Sequence, residues 1–187
     1  DFFITHLHVD HSGLSGDVKC SENHVYASQK DALSINQMQT PERAHWLENQ
    51  AFLRGMPQSE IIHGNEHISH NTGCVEKVNF DILYPGDHLT VDKYNFSVLD
   101  LSGHTPGQIG LYDAEHSMLF CGDHILDRIT PNISTWDYDN DYLAIFLDNL
   151  LKVRKLAPKH LFTAHRELPV DAIVRIDELI QHHKIRL

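Results

Sequence analysis

The chain has 187 residues, of which 41% are hydrophobic and 22% are charged, and its net charge is -11. This length and composition are typical of a single globular domain, spanning 1–187, that buries a sizeable core. The acidic charge argues against nucleic acid and anionic membranes as partners, because both are bound mainly through Lys and Arg. No apolar stretch approaches the roughly 20 residues of a membrane span. Nothing at the amino terminus resembles a signal peptide.

Two residue counts bear on the compartment and on the chemistry. The three cysteines, Cys20, Cys74 and Cys121, are odd in number and lack metal-type spacing, so we expect no disulfide framework and a reducing, cytoplasmic location. The unusual count is the sixteen histidines. Histidine is the commonest metal ligand in proteins, so this excess favours a metal site. Which histidines belong to this metal site is judged below from their positions in the sequence.

The first part of the chain predicts two short strands and then a group of helices. Phe2–Thr5 predicts the end of a buried strand, and Val25–Ala27 predicts a second strand. Ser28 and Thr40 are typical helix N-caps, and Pro41 occupies the first helical position after Thr40. The predicted helices cover 29–36, 41–55 and 58–63, and they form a helical insertion at about 29–63 that serves either as a lid or as packing for the strands. The second of them carries an apolar stripe made by Ala44, Leu47, Ala51 and Phe52.

From about residue 80 the apolar period changes to that of strands. Strands are predicted on both sides of a turn at 85–87, over 94–103, in a hairpin over 108–123, and over 160–165. Amphipathic helices are predicted over 138–156 and 168–183. Strands precede helices in an irregular order, with helices inserted among them. This order favours an α+β or layered α/β architecture over a regular βαβ winding.

Four turns that carry histidine or aspartate each follow a predicted strand. They are HLHVDH after FFIT, SGHTPG after FSVLDL, CGDH after MLF, and TAH after LF. Because strand ends in a packed sheet share one edge, we expect these turns to converge on a rigid site. The candidate ligands are five imidazoles and two carboxylates: His6, His8, Asp10, His11, His104, Asp123 and His165.

These ligand types suit zinc, with iron and manganese as alternatives, and they need no thiolate. Seven protein ligands are too many for one tetrahedral ion, but they fit two ions if one carboxylate bridges them. Two neighbouring cations would acidify a shared water to a hydroxide nucleophile and polarise the oxygen of the group under attack. The sequence therefore predicts a hydrolytic two-zinc site.

The stretches THLHVDHSG, SGHTPGQ, FCGD and TAH, in this order, resemble the metallo-β-lactamase-fold superfamily, nearest its glyoxalase II-like hydrolase branch. The resemblance extends from Phe2 to about His165. It implies an α+β fold, a layered αββα sandwich whose site lies along one edge between two sheets. It also implies a ligand assignment: His6, His8 and His104 on the first metal, Asp10, His11 and His165 on the second, and Asp123 bridging.

The reaction that the resemblance implies is hydrolysis of a small ester, thioester or lactone by a metal-bridging hydroxide. Asp10 would be the catalytic residue, because it would both ligate the second metal and orient the hydroxide or receive its proton. Substrate contacts are expected from four residues near the predicted active edge: His70, His124, Arg128 and Trp136. A glutathione thioester is disfavoured as the substrate, because the carboxy-terminal helices that bind glutathione in glyoxalase II have no counterpart here.

Three other functions stay open at this point. Iron-dependent persulfide dioxygenases share these motifs and bind one iron through counterparts of His6, His104 and Asp123. Nucleic-acid processing occurs in other branches of the superfamily, but the charge of -11 argues against it. A metal-binding protein without catalysis is the third. β-Lactamase activity is disfavoured, because several β-lactamases of this fold carry a cysteine ligand where Asp123 stands.

The histidine-rich motif lies unusually near the first residue. In the superfamily, strands of the first sheet precede this motif, so we expect the first sheet to be incomplete and the chain to be a fragment. An unpaired sheet edge would favour a homodimer formed through that edge.

Overall fold

The computed structural model describes residues 1–19, 22–38, 40–65 and 77–186, with residues 63–65 described by their backbone alone. Two sheets form the centre of the described structure. The first is a parallel sheet of three strands in the order β1 (Phe2–Phe3), β2 (Val25–Ser28) and β3 (Asp81–Leu83). The second has five strands in chain order: β4 (His88–Val91), β5 (Tyr94–Asp100), β6 (Ile109–Asp113), β7 (Met118–Gly122) and β8 (His160–Thr163).

Seven helices connect or cover these strands within the described residues. They are α1 (Val9–Ser12), α2 (Ser15–Val18), α3 (Gln29–Gln37), α4 (Pro41–Leu53), α5 (Gln58–Asn65), α6 (Tyr142–Leu156) and α7 (Ala172–Arg186). None of the helices in the described part of the chain is long and apolar enough to cross a membrane.

Three apolar cores separate four layers. Between the first sheet and α3 lie Ile4, Leu7, Val25, Ala27, Ala32, Ile35 and Val78. Between the two sheets lie Leu83, Phe96, Val98, Ile109 and Leu111, with Phe3 and Tyr26 packed against them. Between the second sheet and the pair α6 and α7 lie Leu101, Leu119, Cys121, Ile125, Phe146, Leu150, Val153, Leu161, Ala172, Ile176 and Leu179. The predicted α+β architecture, an αββα sandwich, is confirmed.

Strand direction places the functional turns at one edge. Strand β6 is antiparallel to both β5 and β7, and β8 is parallel to β7. Strands β5, β7 and β8 therefore run in the same direction, and their carboxyl ends meet at one edge of the second sheet. The end of β1 joins this edge, because the Thr5 carbonyl accepts a hydrogen bond of 3.0 Å from the Ile109 amide at the start of β6.

Both predicted N-caps are confirmed by the structure. The Ser28 hydroxyl accepts from the Asp31 amide at 3.2 Å, and the Thr40 hydroxyl accepts from the Arg43 amide at 3.2 Å. These bonds satisfy amides that the first turn of a helix leaves without intrahelical partners. Helices α3 and α4 therefore begin where the sequence predicts.

Three expectations about local structure need correction. The predicted apolar stripe of α4 is not buried, since no residue of this helix is buried and Phe52 is 59% exposed. Helix α7 begins at Ala172 and not at residue 168, because the Asp171 carboxylate accepts from the amides of Ile173 and Val174 at 2.8 and 3.0 Å and so caps a later start. The strands on either side of the turn at 85–87 belong to different sheets.

Candidate metal centre

The first turn of the site is folded back on itself directly after β1. The Ser12 hydroxyl donates to the Leu7 carbonyl at 2.8 Å, and the one-turn helix α1 carries Asp10 and His11 away from the line of the strand. This local reversal lets four potential ligands from one short stretch face two different places. His6 and His8 meet His104, while Asp10 and His11 meet His165, and His6 also groups with His11 and Asp123 where the two places adjoin.

The first cluster consists of His6, His8 and His104, whose ring nitrogens lie within 4.8 Å of one another. The His6 Nε2 and His8 Nδ1 atoms are 3.1 Å apart. His6 and His104 are buried, whereas His8 is partly exposed. Three imidazoles from two turns therefore converge on one point at the floor of the site.

The second cluster consists of Asp10, His11 and His165. The Nε2 atoms of His11 and His165 are 3.1 Å apart, and the Asp10 Oδ2 atom lies 3.1 Å from His165 Nε2 and 3.4 Å from His11 Nε2. Asp10 and His165 therefore meet at one point, as expected for two turns that follow strands ending at the same edge.

Asp123 lies between the two clusters. Its Oδ2 atom is 3.6 Å from His104 Nε2, while its Oδ1 atom is 3.5 Å from His11 Nε2 and 3.4 Å from His165 Nε2. One carboxylate thus presents a different oxygen to each cluster. This is the geometry that a bridging ligand needs.

The donor atoms fit metal ions better than they fit one another. Asp123 Oδ1 and His104 Nε2 are buried and have no hydrogen-bond partner among the described residues, although a buried polar atom without a partner is costly. Ligand bonds of about 2.0–2.1 Å in a tetrahedral zinc site place neighbouring ligand atoms about 3.3 Å apart. The closest separations quoted above, 3.1 to 3.6 Å, lie around this value. The residues present therefore fit one cation in each cluster.

Neighbouring groups fix the orientation of the histidine rings. His104 Nδ1 donates to the Asn132 carbonyl at 2.6 Å, which leaves Nε2 with its lone pair toward Asp123. The Trp136 indole donates to the His104 carbonyl at 3.1 Å, and the Thr5 hydroxyl lies 3.0 Å from His6 Nδ1. Such contacts orient ligands and select the tautomer that can bind a cation.

Burial keeps three imidazoles of the site neutral: His6, His8 and His11. Burial, reinforced by the neighbouring histidines, holds the pKa of His6 far below its ordinary value. Burial also lowers the pKa of His8 to about 4, and it lowers the pKa of His11 even though Asp123 and Asp10 act in the opposite direction. At neutral pH these rings are in the deprotonated form that a metal ion requires.

Asp31, in α3, connects the two histidine-bearing turns, and sequence reasoning missed this role. It is 1% exposed, and its Oδ2 atom accepts from the Leu7 amide at 2.9 Å and from the Thr105 hydroxyl at 2.7 Å. Burial raises the pKa of this carboxyl to about 6, although the hydrogen bonds from Thr105 and Leu7 oppose the rise. Leu7 lies between the candidate ligands His6 and His8, and Thr105 follows His104. Asp31 therefore fixes the positions of these two turns relative to each other.

The turn before His104 requires a glycine. Gly103 has a φ of +131°, and a Cβ atom there would lie 2.5 Å from the Cβ and 2.6 Å from the Cα of Phe146 in α6. Helix α6 therefore packs directly on the backbone of this turn, which fixes the position of His104 from behind.

The four predicted substrate contacts have different outcomes. The Trp136 ring lies 6.0 Å from the His8 ring, beside the first cluster. His124 is completely buried against Phe146, with its pKa lowered to about 3 by burial, so the structure does not bring it to the surface of the site. Arg128 has a 78% exposed side chain that pairs with neighbouring carboxylates, and it does not line the cavity next to His104 and His165. His70 lies outside the described residues.

Cys121, two residues before the bridging aspartate, is part of the core and not of the site. It is completely buried, and burial raises the pKa of its thiol to about 12. Its Sγ atom lies 3.4 Å from the Phe162 carbonyl oxygen. The thiol therefore stays protonated at neutral pH and cannot serve as a thiolate ligand.

Comparisons with known proteins agree with this geometry. The family model of the metallo-beta-lactamase superfamily matches residues 3–165. A hydroxyacylglutathione hydrolase of Bdellovibrio bacteriovorus is 26% identical over 165 residues, which are 88% of this chain and 47% of that protein. The acyl-coenzyme A thioesterase MBLAC2 of Gallus gallus is 29% identical over 172 residues, which are 87% of this chain and 57% of that protein.

Among solved structures, the metallo-beta-lactamase family protein TTHA1429 of Thermus thermophilus superposes with a TM-score of 0.84 at 27% identity. The superposition covers 98% of this chain and 60% of that one. The chain thus spans about half the length of the curated relatives it matches. The motif order, the αββα layers and the family match over 3–165 agree, and the chain belongs to the metallo-beta-lactamase superfamily.

Proposed function

We propose that this chain carries the active centre of a hydrolase that binds two metal ions, zinc by preference, and cleaves a small ester, thioester or lactone. The observation that carries the proposal is the position of Asp123, which offers one oxygen to each of two clusters of nitrogen and oxygen donors. Nitrogen and oxygen donors without a thiolate suit zinc, with iron or manganese as the alternatives. The names of the two curated relatives, one a hydrolase and the other a thioesterase, support an acyl substrate.

The first cluster, His6, His8 and His104, would hold one ion, and Asp10, His11 and His165 would hold the other. When bound, such cations acidify a shared water and polarise the carbonyl oxygen of the substrate. Asp10 presents Oδ2 to the second cluster, and its Oδ1 atom is the group that we assign to orient the attacking water and to accept its proton. The Asp10 side chain is 57% exposed, so a substrate can reach it.

The proposal is tested with purified protein, its metal content and a panel of thioesters, lactones and activated esters. We expect hydrolysis that stops on chelation, returns with zinc, and falls on the order of 100-fold or more in Asp123→Asn. The matched control is Asp113→Asn, because Asp113 is a buried carboxylate in the β6–β7 turn, away from the site.

Two results would count against this function. Metal-loaded protein that hydrolyses no member of the panel would leave a metal-binding role. One iron per chain, together with oxygen uptake in the presence of a persulfide, would instead support the dioxygenase alternative. In either case the ligand geometry described above would remain, but the proposed hydrolysis would be refuted.

A further inference from the structure

Helix α4 presents an unusual face for a helix outside the core. Its side chains at positions i, i+3, i+4, i+7, i+8 and i+11 form one stripe: Arg43, Trp46, Leu47, Gln50, Ala51 and Arg54. None of these six residues belongs to the three apolar cores between the layers. The stripe forms one wall of an open cavity of about 800 Å³, and the start of α5 and the segment 134–136 form the other walls.

The cavity along α4 adjoins a second cavity at the candidate metal centre. A smaller cavity of about 360 Å³ is lined by His8 and Asp10, which belong to the two metal clusters. The two cavities share three lining residues, Arg43, Leu47 and Trp136. These three side chains lie between the metal centre and the larger cavity, and we call the two adjoining cavities together the α4 groove. Ligand sites for small molecules usually have volumes in this range.

Polar contacts hold the groove in shape on the side opposite α4. The Arg54 guanidinium donates to the Thr135 carbonyl at 3.4 Å and lies 5.9 Å from the centre of the Tyr138 ring. The Tyr138 hydroxyl in turn lies 3.3 Å from the Gln50 side-chain oxygen. The loop after β7 is therefore tied to the far end of α4, which keeps the groove open between them.

Arg43 is the one cation among the described residues that line the smaller cavity. Its guanidinium stacks on the Trp46 ring at 4.4 Å. Burial lowers the pKa of Arg43, and no carboxylate among the described residues opposes this effect. A half-buried guanidinium stacked on an aromatic ring keeps its donors available for a planar anion such as a carboxylate.

We infer that the α4 groove binds the apolar acyl arm of the substrate, with the chain in the larger cavity and the carboxylate of the released acid at Arg43. This inference rests on the proposed hydrolytic function, since it assumes an acyl substrate at the metal centre. It narrows the substrate class to medium-chain or comparably long apolar acyl groups, because an acetyl group would leave the larger cavity unfilled.

The two tryptophans of the chain make a direct binding test available. Trp46 and Trp136 are the only ones in the sequence, and both line the groove, so intrinsic tryptophan fluorescence reports on ligands bound there. Because Trp136 also lies 6.0 Å from the His8 ring, each titration is compared with the ligand-free protein in the same metal state. We would titrate the purified protein with decanoate, decanol and acetate, and repeat the decanoate titration after chelation of metals. We expect saturable fluorescence changes with decanoate and decanol, no change with acetate, and decanoate binding that survives chelation.

Variants separate the roles of the charge and of the cavity. Arg43→Gln should weaken decanoate binding by about 10-fold or more and leave decanol binding unchanged, because a charge-assisted hydrogen bond to a half-buried guanidinium is lost. Ala51→Phe should weaken both ligands, because it fills the larger cavity. The matched control is Lys93→Gln, which removes a cation stacked at 5.3 Å on Tyr94 outside the groove, and it should bind both ligands like the parent chain.

Three results would overturn the inference. One is no fluorescence response to either ten-carbon ligand, and a second is unchanged decanoate affinity in Arg43→Gln. The third is tryptophan fluorescence that depends on protein concentration, with dimers in light scattering and no response to decanoate, since a second copy of the chain would then occupy the groove. Failure of the hydrolytic function is a separate result. A protein that binds decanoate but hydrolyses no ester would refute the proposed function, and the binding role of the α4 groove would remain supported.

Discussion

Asp31 offers the sharpest test of how the metal centre is held together. In Asp31→Ala, the Leu7 amide and the Thr105 hydroxyl both lose their acceptor inside the protein. Leaving a buried donor unsatisfied costs about 1–3 kcal/mol, so the two together should lower the free energy of unfolding by about 2–6 kcal/mol. Because these donors belong to the turns that carry the candidate ligands, we also expect zinc affinity to fall about 10- to 100-fold.

The assay combines urea unfolding with competition between the protein and a zinc chelator. Asp113→Ala is the matched control, because Asp113 is equally buried and accepts from the amides of Glu115 and His116, but it closes the β6–β7 turn away from the ligands. We expect the control to lose stability and to keep its zinc affinity. If both variants lose stability and neither loses affinity, then Asp31 is only a structural residue and its positioning role is refuted.

Three further predictions concern pH, backbone and packing. Burial raises the pKa of Asp31 to about 6 in the folded chain, against an ordinary value of 3.8 for an aspartate carboxyl. Unfolding therefore releases a proton at pH values between about 4 and about 6, and the free energy of unfolding falls as the pH rises through this range. The fall is about 3 kcal/mol, and urea titrations should show it in the parent chain and not in Asp31→Asn. Gly103→Ala should cost about 2–4 kcal/mol by urea unfolding, since it adds strain at positive φ and a clash with α6; Gly55→Ala, also at positive φ but with open space around it, should cost only about 1–2 kcal/mol. Phe146→Ala should lose about 3–5 kcal/mol in thermal unfolding, whereas the exposed Phe52→Ala should lose less than about 0.5 kcal/mol. Equal losses within either pair would contradict the packing described here.

Much of the site could be predicted from the sequence, because its ligands sit in turns directly after strands. Strand direction and apolar period are local properties, and they place His104, Asp123 and His165 at strand ends without knowledge of the fold. The stretch from His6 to His11 could be predicted as a dense ligand turn for the same reason. The one-turn helix α1 that separates its two halves could not, since so short a helix carries no measurable helical period.

Features that depend on tertiary contacts could not be predicted in this way. Asp31 carries no local signal beyond its place near an N-cap, and its hydrogen bonds span 24 and 74 residues in sequence. The predicted apolar stripe of α4 resembles a core face in its spacing, but in the structure Leu47 and Ala51 line a cavity, and Ala44 and Phe52 are exposed. His124 follows a candidate ligand directly, but it lies in the core against Phe146, in a turn after β7 in which its amide donates to the Cys121 carbonyl at 3.1 Å.

Zinc stoichiometry tests the central claim most directly. Chelator-treated protein titrated with zinc should bind two ions per chain. His8→Ala, in the first cluster, and His165→Ala, in the second, should each remove one ion and leave the other cluster occupied. A stoichiometry of one in the parent chain, or two ions retained in either variant, would contradict a centre in which Asp123 joins two separate metal clusters.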